Sequence, residues 1–152
     1  MDEVIAILRE QTILCNRLLK LFAELTDLLK KNSLDMVQAV RKIEPVIKEL
    51  SGNSIRSQNF LDRMRAKNFS DFLNSQEQSG KRDVAESLLK QANNLQTQIK
   101  NATATLKRLT KNGMDFVNFN INVMSRSSTN VAYGAEATTG TQSNRRIFDT
   151  NV

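Results

Sequence analysis

The feature that most constrains this chain is an apolar seam that alternates spacings of four and three without a slip. It runs through Leu88, Ala92, Leu95, Ile99, Ala102, Leu106, Leu109, Gly113, Phe116, Asn120 and Val123. A period near 3.5 belongs to a helix packed lengthwise on other helices, whereas a strand needs a period of two. Two earlier segments carry related patterns. Val4, Leu8, Gln11, Cys15, Leu18, Phe22, Leu25 and Leu29 form a seam in the first, with Ile7, Leu14, Leu21 and Leu28 beside it at intervals of seven. That face is wider than a two-stranded zipper needs and predicts two neighbours for the helix. In the second, Val37, Val40, Ile43, Ile47 and Leu50 run straight through Pro45, which predicts a kink there and not an end. Ser51-Gly52-Asn53 can interrupt this helix, but the stripe returns at Phe60 or Leu61 and Met64.

The connections are read from what lacks the pattern. Asn32 and Ser33 break the first, with Ser33 in position to cap the next helix and Asp35 in its first turn, where a negative charge suits the helix dipole. The run NSQEQSGK from Asn74 to Lys81 contains no apolar side chain and marks a turn. The expected fold is all-α, an elongated antiparallel three-helix bundle, coiled-coil-like, with helices over about 2–31, 33–73 and 83–126. Of the last 26 residues, 13 are Ser, Thr, Asn or Gly. Residues 127–152 bury too little surface to offset their ordering entropy and are expected to form a flexible C-terminal tail.

Composition then removes whole classes of function. The 152 residues include no His, no Trp and one Cys, so histidine bases, His-containing zinc sites, Cys-His pairs and disulfide frameworks are excluded. No catalytic residue, metal or cofactor is expected, and Cys15 reads as a small buried hydrophobe. Gly134 and Gly140, followed by Thr141, have the wrong spacing for a phosphate loop and lack its Lys. The net charge of +6 is spread thinly: residues 1–50 and 127–152 are neutral, 51–83 carry +2 and 84–126 carry +4. Lys100, Lys107, Arg108 and Lys111 lack interleaved aromatics and read as a solvated face, without specific nucleic-acid binding. No run approaches ~18 apolar residues, and Asp2 and Glu3 stand where a secretory signal would be basic, so a cytoplasmic protein without membrane insertion is expected.

The informative anomaly is the stretch NGMDFVNFNINVMSR, residues 112–126. Its core seam weakens at Gly113 and Asn120 while a second row appears, Met114, Val117, Ile121 and Met124, with Phe119 nearby. One row is surplus, since the balance between 3.5 and 3.6 residues per turn decides which faces the bundle. The surplus row either meets both other helices or docks a partner's amphipathic helix, a task that adaptable methionines suit.

At these residues the chain resembles the FlgN-type flagellar export chaperones. The likeness lies in a Leu-rich opening helix, a second helix with Glu44 in its middle, and a third ending in Asn112, Phe116, Asn118, Asn120 and Ile121. A polar tail follows with Tyr133-Gly134, closing on Phe148-Asp149-Thr150. The resemblance implies a non-enzymatic chaperone that holds the hook-filament junction proteins FlgK and FlgL unassembled and delivers them to the export gate protein FlhA. It implies client binding by Met114, Val117, Phe119, Ile121, Met124, Val131, Ile147 and Phe148, and export-gate binding by Tyr133. Monomer and homodimer both stay open. The rival readings are a structural coiled-coil adaptor and a weakly nucleic-acid-associated helical regulator.

Overall fold

A computed structural model describes residues 1–31 and 33–110. Four helices follow in order: α1 (Asp2–Lys30), α2 (Met36–Met64), α3 (Phe69–Asn74) and α4 (Gly80–Leu109). The three long ones, each about 44 Å at 1.5 Å per residue, run up, down and up again. The architecture is thus the expected all-α bundle. α1 is its centre: it lies close against both α2 and α4 along their lengths, as its double apolar row requires, while α2 and α4 approach each other less closely.

The second expected helix, 33–73, is in fact two. α2 continues without a break through Pro45 and Gly52. Pro45 sits on the exposed face together with Arg41, whose carbonyl loses its helical donor, so solvent can serve that carbonyl. The helix ends at Arg65, which takes the left-handed conformation (φ 53°). Ala66 N–H donates to Leu61 O at 3.0 Å and Arg65 N–H to Asp62 O at 3.2 Å, the paired bonds of a Schellman stop. Asn68 then caps α3 by accepting the Asp71 N–H at 2.8 Å. This reversal turns Phe69, Phe72 and Leu73 under the bundle, where they are buried. At the other connection the N-cap falls on Asp35, and the Ser33 hydroxyl accepts the Asp35 N–H at 3.2 Å instead of capping the helix itself.

The core is two apolar clusters separated by a polar layer. One contains Leu14, Leu18, Phe22, Leu25, Ile43, Ile47, Leu50, Ile99 and Leu106. The other contains Val4, Leu8, Phe60, Leu61, Phe69, Phe72, Leu73 and Leu89. Between them Gln11, Asn53, Ser54, Ser57 and Gln96 are buried. The Asn53 amide donates to Ile7 O and to the Glu10 carboxylate, both at 3.1 Å, while Gln11 Oε1 has no hydrogen-bond partner. The true seam of α4 is Ala85, Leu89, Ala92, Gln96, Ile99, Thr103 and Leu106, with Leu88, Leu95 and Ala102 flanking it half-buried. Its small members, Ala85, Ala92 and Thr103, permit the close approach to α1.

Charge fixes the register of α1 on α2. Glu3 pairs with Arg63, Glu10 with Arg56, Arg17 with Glu49 and Glu24 with Lys42. Each step of seven residues up α1 is matched by seven down α2. The signs are the same on three rungs and reversed on Arg17–Glu49. A slip of one heptad would therefore oppose Arg17 to Arg56 and Glu24 to Glu49, or, in the other direction, Glu10 to Glu49 and Arg17 to Lys42. These half-exposed pairs contribute at most about 1 kcal/mol each, so their effect is to penalise wrong registers more than to stabilise the right one.

Candidate functional site

The two ends of the bundle are built differently. α1 and α4 start together, joined by the Asp2–Lys81 ion pair, and each runs 28 residues from that pair to Lys30 and Leu109. Those last residues are therefore level with the α1–α2 turn. At this level α4 stops. Thr110 is extended (φ −121°, ψ 128°), with its N–H and its hydroxyl both donating to Leu106 O at 2.8 Å. The expected helix 83–126 is thus described only to Leu109. The sequence-predicted client residues Met114, Val117, Phe119, Ile121, Met124, Val131, Ile147 and Phe148, and Tyr133 with them, lie outside the described residues.

What the fold places at the end where that segment departs is an apolar patch. At the start of α2, Leu34 is 94% exposed, Val37 59% and Val40 40%, with Met36 half-buried beside them; Leu109 of α4 is 44% exposed on the face it shares with Val84, which borders α1. The sequence pattern assigned Val37 and Val40 to the core stripe of α2. In the bundle that stripe instead starts from Ala39 and Ile43. The signal that could have separated them is angular: Val37 lies about 120° round the helix from Ile43 at 100° per residue.

The remaining chemistry is structural. Cys15 is fully buried, and burial pushes its thiol up to about 12, so it is not a nucleophile at neutral pH. Asp2 is held below the ordinary carboxylate range by its hydrogen bond from Lys81 and by the charge of that lysine. Burial raises Glu10, but hydrogen bonds from Arg56 and Asn53 outweigh it and the net shift is downward. Both carboxylates are committed to ion pairs between helices. Among the described residues no three His, Cys, Asp or Glu side chains are grouped to hold a metal ion, and no helix is long and apolar enough to cross a membrane. Lys100, Lys107 and Arg108 lie on exposed positions of α4. At the N-terminal ends of α1 and α4 an open groove is lined by Met1, Ile5, Ala6 and Val84, with Arg9 and the Asp2–Lys81 pair at its edge.

Comparison with known proteins gives one family. The model of the family described as FlgN protein matches residues 1–141, which takes in the whole bundle and the apolar stretch beyond it. No curated protein and no solved structure shows significant similarity to the chain.

Proposed function

From the premise that this chain belongs to the FlgN family and so has a flagellar export chaperone role, we propose that it works in the cytoplasm, holds the hook-filament junction proteins FlgK and FlgL unassembled and hands them to the export gate protein FlhA. The observation that carries this reading is the family match over residues 1–141, which extends well past the bundle into the tail. The clients' apolar helices would associate with one another if left uncovered, and an amphipathic segment that covers them prevents it. We assign client binding to the row Met114, Val117, Ile121 and Met124 with Phe119, and to Val131, Ile147 and Phe148 in the tail. Tyr133 is assigned to the gate.

Two physical points support that assignment. α1 stops and α2 starts level with Leu109, so the bundle offers no further length of either helix for the row to pack against. A tail of residues 127–152 that orders only on binding gives a wide footprint with a releasable complex, as a delivery chaperone needs.

The test is the double substitution Val117→Asp with Ile121→Asp. Unpaired charges in an apolar helix contact cost several kcal/mol, so affinity for FlgK or FlgL is expected to fall more than ~100-fold. The melting temperature should stay near the parent's. Undiminished client affinity would remove this row from the interface. Tyr133→Ala is expected to leave client affinity intact while weakening binding to FlhA.

A further inference from the structure

We propose that the exposed patch of Leu34, Val37 and Val40 is the seat of the chain's own Phe116 and Val123, so that the segment leaving α4 folds back over the end of the bundle in the free protein. Three observations converge on this occupant. First, the patch faces the right way. The partners that tie α2 to α1, Lys42, Glu49, Arg56 and Arg63, lie along one flank of α2. Val37 and Val40 fall about 140–160° round the helix from Lys42, on the flank turned away from α1.

Second, the segment starts at the same end as the patch. Leu109 and the first turn of α2 are level, and because α2 and α4 each pack on α1 with axes about 8–10 Å apart, their own axes lie at most about 16–20 Å from each other. The six residues from Thr110 to Phe116 reach up to about 20 Å. Thr110 is already extended, and Asn112-Gly113 is a turn-forming dipeptide directly before the apolar stretch. Third, the segment has the chemistry to spare. Phe116 and Val123 are large apolar side chains seven residues apart, on one face if the segment is helical. They are not the residues assigned to the client. On a helix the row of Phe116 and Val123 and the row of Val117, Ile121 and Met124 are roughly 100–120° apart, so one can rest on the bundle while the other stays available.

The contact forms within the free protein, so the full chain alone tests it. In the full chain, a thiol is placed by Val37→Cys, and in a second variant by Gln38→Cys at the neighbouring exposed position. The native Cys15 is silent because it is buried and its thiol is pushed up to about 12. Reaction with a thiol reagent at low micromolar protein is expected to be at least ~10-fold slower at position 37 than at position 38. Adding Phe116→Asp and Val123→Asp should bring position 37 up to the rate of position 38, whereas adding Val117→Asp and Ile121→Asp should leave it slow. Equal rates at the two positions in the parent would overturn the proposal. So would protection that disappears on dilution, which marks a second copy as the occupant, or protection relieved by the 117/121 pair alone. A client that fails to notice the 117/121 substitutions, with position 37 still protected, would remove the client assignment and leave this one standing.

Discussion

At the end where α1 begins, α3 closes the base of the bundle with aromatic rings and leaves a groove open between α1 and α4; at the end where α1 stops, none of the described helices covers Leu34, Val37 and Val40. Phe60 stands edge-on to Phe72 with centroids 5.0 Å apart and lies 6.0 Å from Phe69, and α3 carries two of these rings beneath the long helices. The Schellman stop at Arg65 makes this closure, because it ends α2 early enough for the chain to turn back under it. At the other end the connection from Lys31 to Asp35 is too short to cover anything, and Leu34 points into water. Amphipathic helices with similar patterns thus finish in one end closed by α3 and one unfinished end. The unfinished end is where the chain continues toward the residues proposed for the client, which sets the proposed binding at the end opposite the aromatic closure.

The largest expected effect tests the closure. Phe69→Ala deletes a fully buried ring and is expected to cost about 3–5 kcal/mol, measured by urea or thermal unfolding. Leu34→Ser at the open end should cost no more than about 1 kcal/mol by the same measurement. Similar losses from the two would mean that the ends are equally structural.

The polar layer between the clusters offers the next test. Gln11 is 1% exposed and its Oε1 lacks a partner, so Gln11→Leu removes a buried acceptor from the seam of α1. A gain of about 1–2 kcal/mol is expected, with hydrogen-exchange protection becoming more uniform along α1 as the two clusters merge. A loss of stability would show that the layer is better satisfied than its geometry indicates. Gly52 is a smaller defect in the same region. A Cβ there meets nothing within 4 Å, so Gly52→Ala should raise stability by about 0.5–1 kcal/mol through helix propensity alone.

The smallest effect is acid sensitivity, and it too distinguishes the ends. Asp2 and Glu10 belong to the half closed by α3 and both are held below their ordinary values of 3.8 and 4.5. A depressed carboxylate contributes stability that is complete above its ordinary value and is lost as pH falls through the depressed one. Exchange protection in the first turns of α1 should therefore weaken below about pH 4.5 before that around Leu18 to Leu25 does. Glu10 is more than a third exposed, so Glu10→Gln should lower stability at neutral pH by only a few tenths of a kcal/mol and flatten the acid limb.

The helical class, the three long amphipathic segments and the broad face of α1 are legible in the residue pattern alone. The reason is that helical periodicity in apolar residues is a local property, repeated over enough turns to be unambiguous. It placed Val4, Leu8, Cys15, Leu18, Phe22 and Leu25 in the core, and Gln11 with them, because the pattern admits a polar residue only where its neighbours require it. It misplaced Val37, Val40, Met64 and Leu109, and it passed over Gln96 and Thr103, because a hydrophobic stripe is read from side-chain type while burial is set by which flank meets a neighbour. That α2 stops at Met64 emerges from the packed fold, since left-handed Arg65 carries no sequence mark of the kind a glycine would give. The heptad ladder of ion pairs was likewise invisible from one helix at a time: Glu3, Glu10, Arg17 and Glu24 become a register code only opposite Arg63, Arg56, Glu49 and Lys42. Periodicity is written within a helix, and register and closure arise between helices, where long-range packing chooses among faces that the local pattern leaves equivalent.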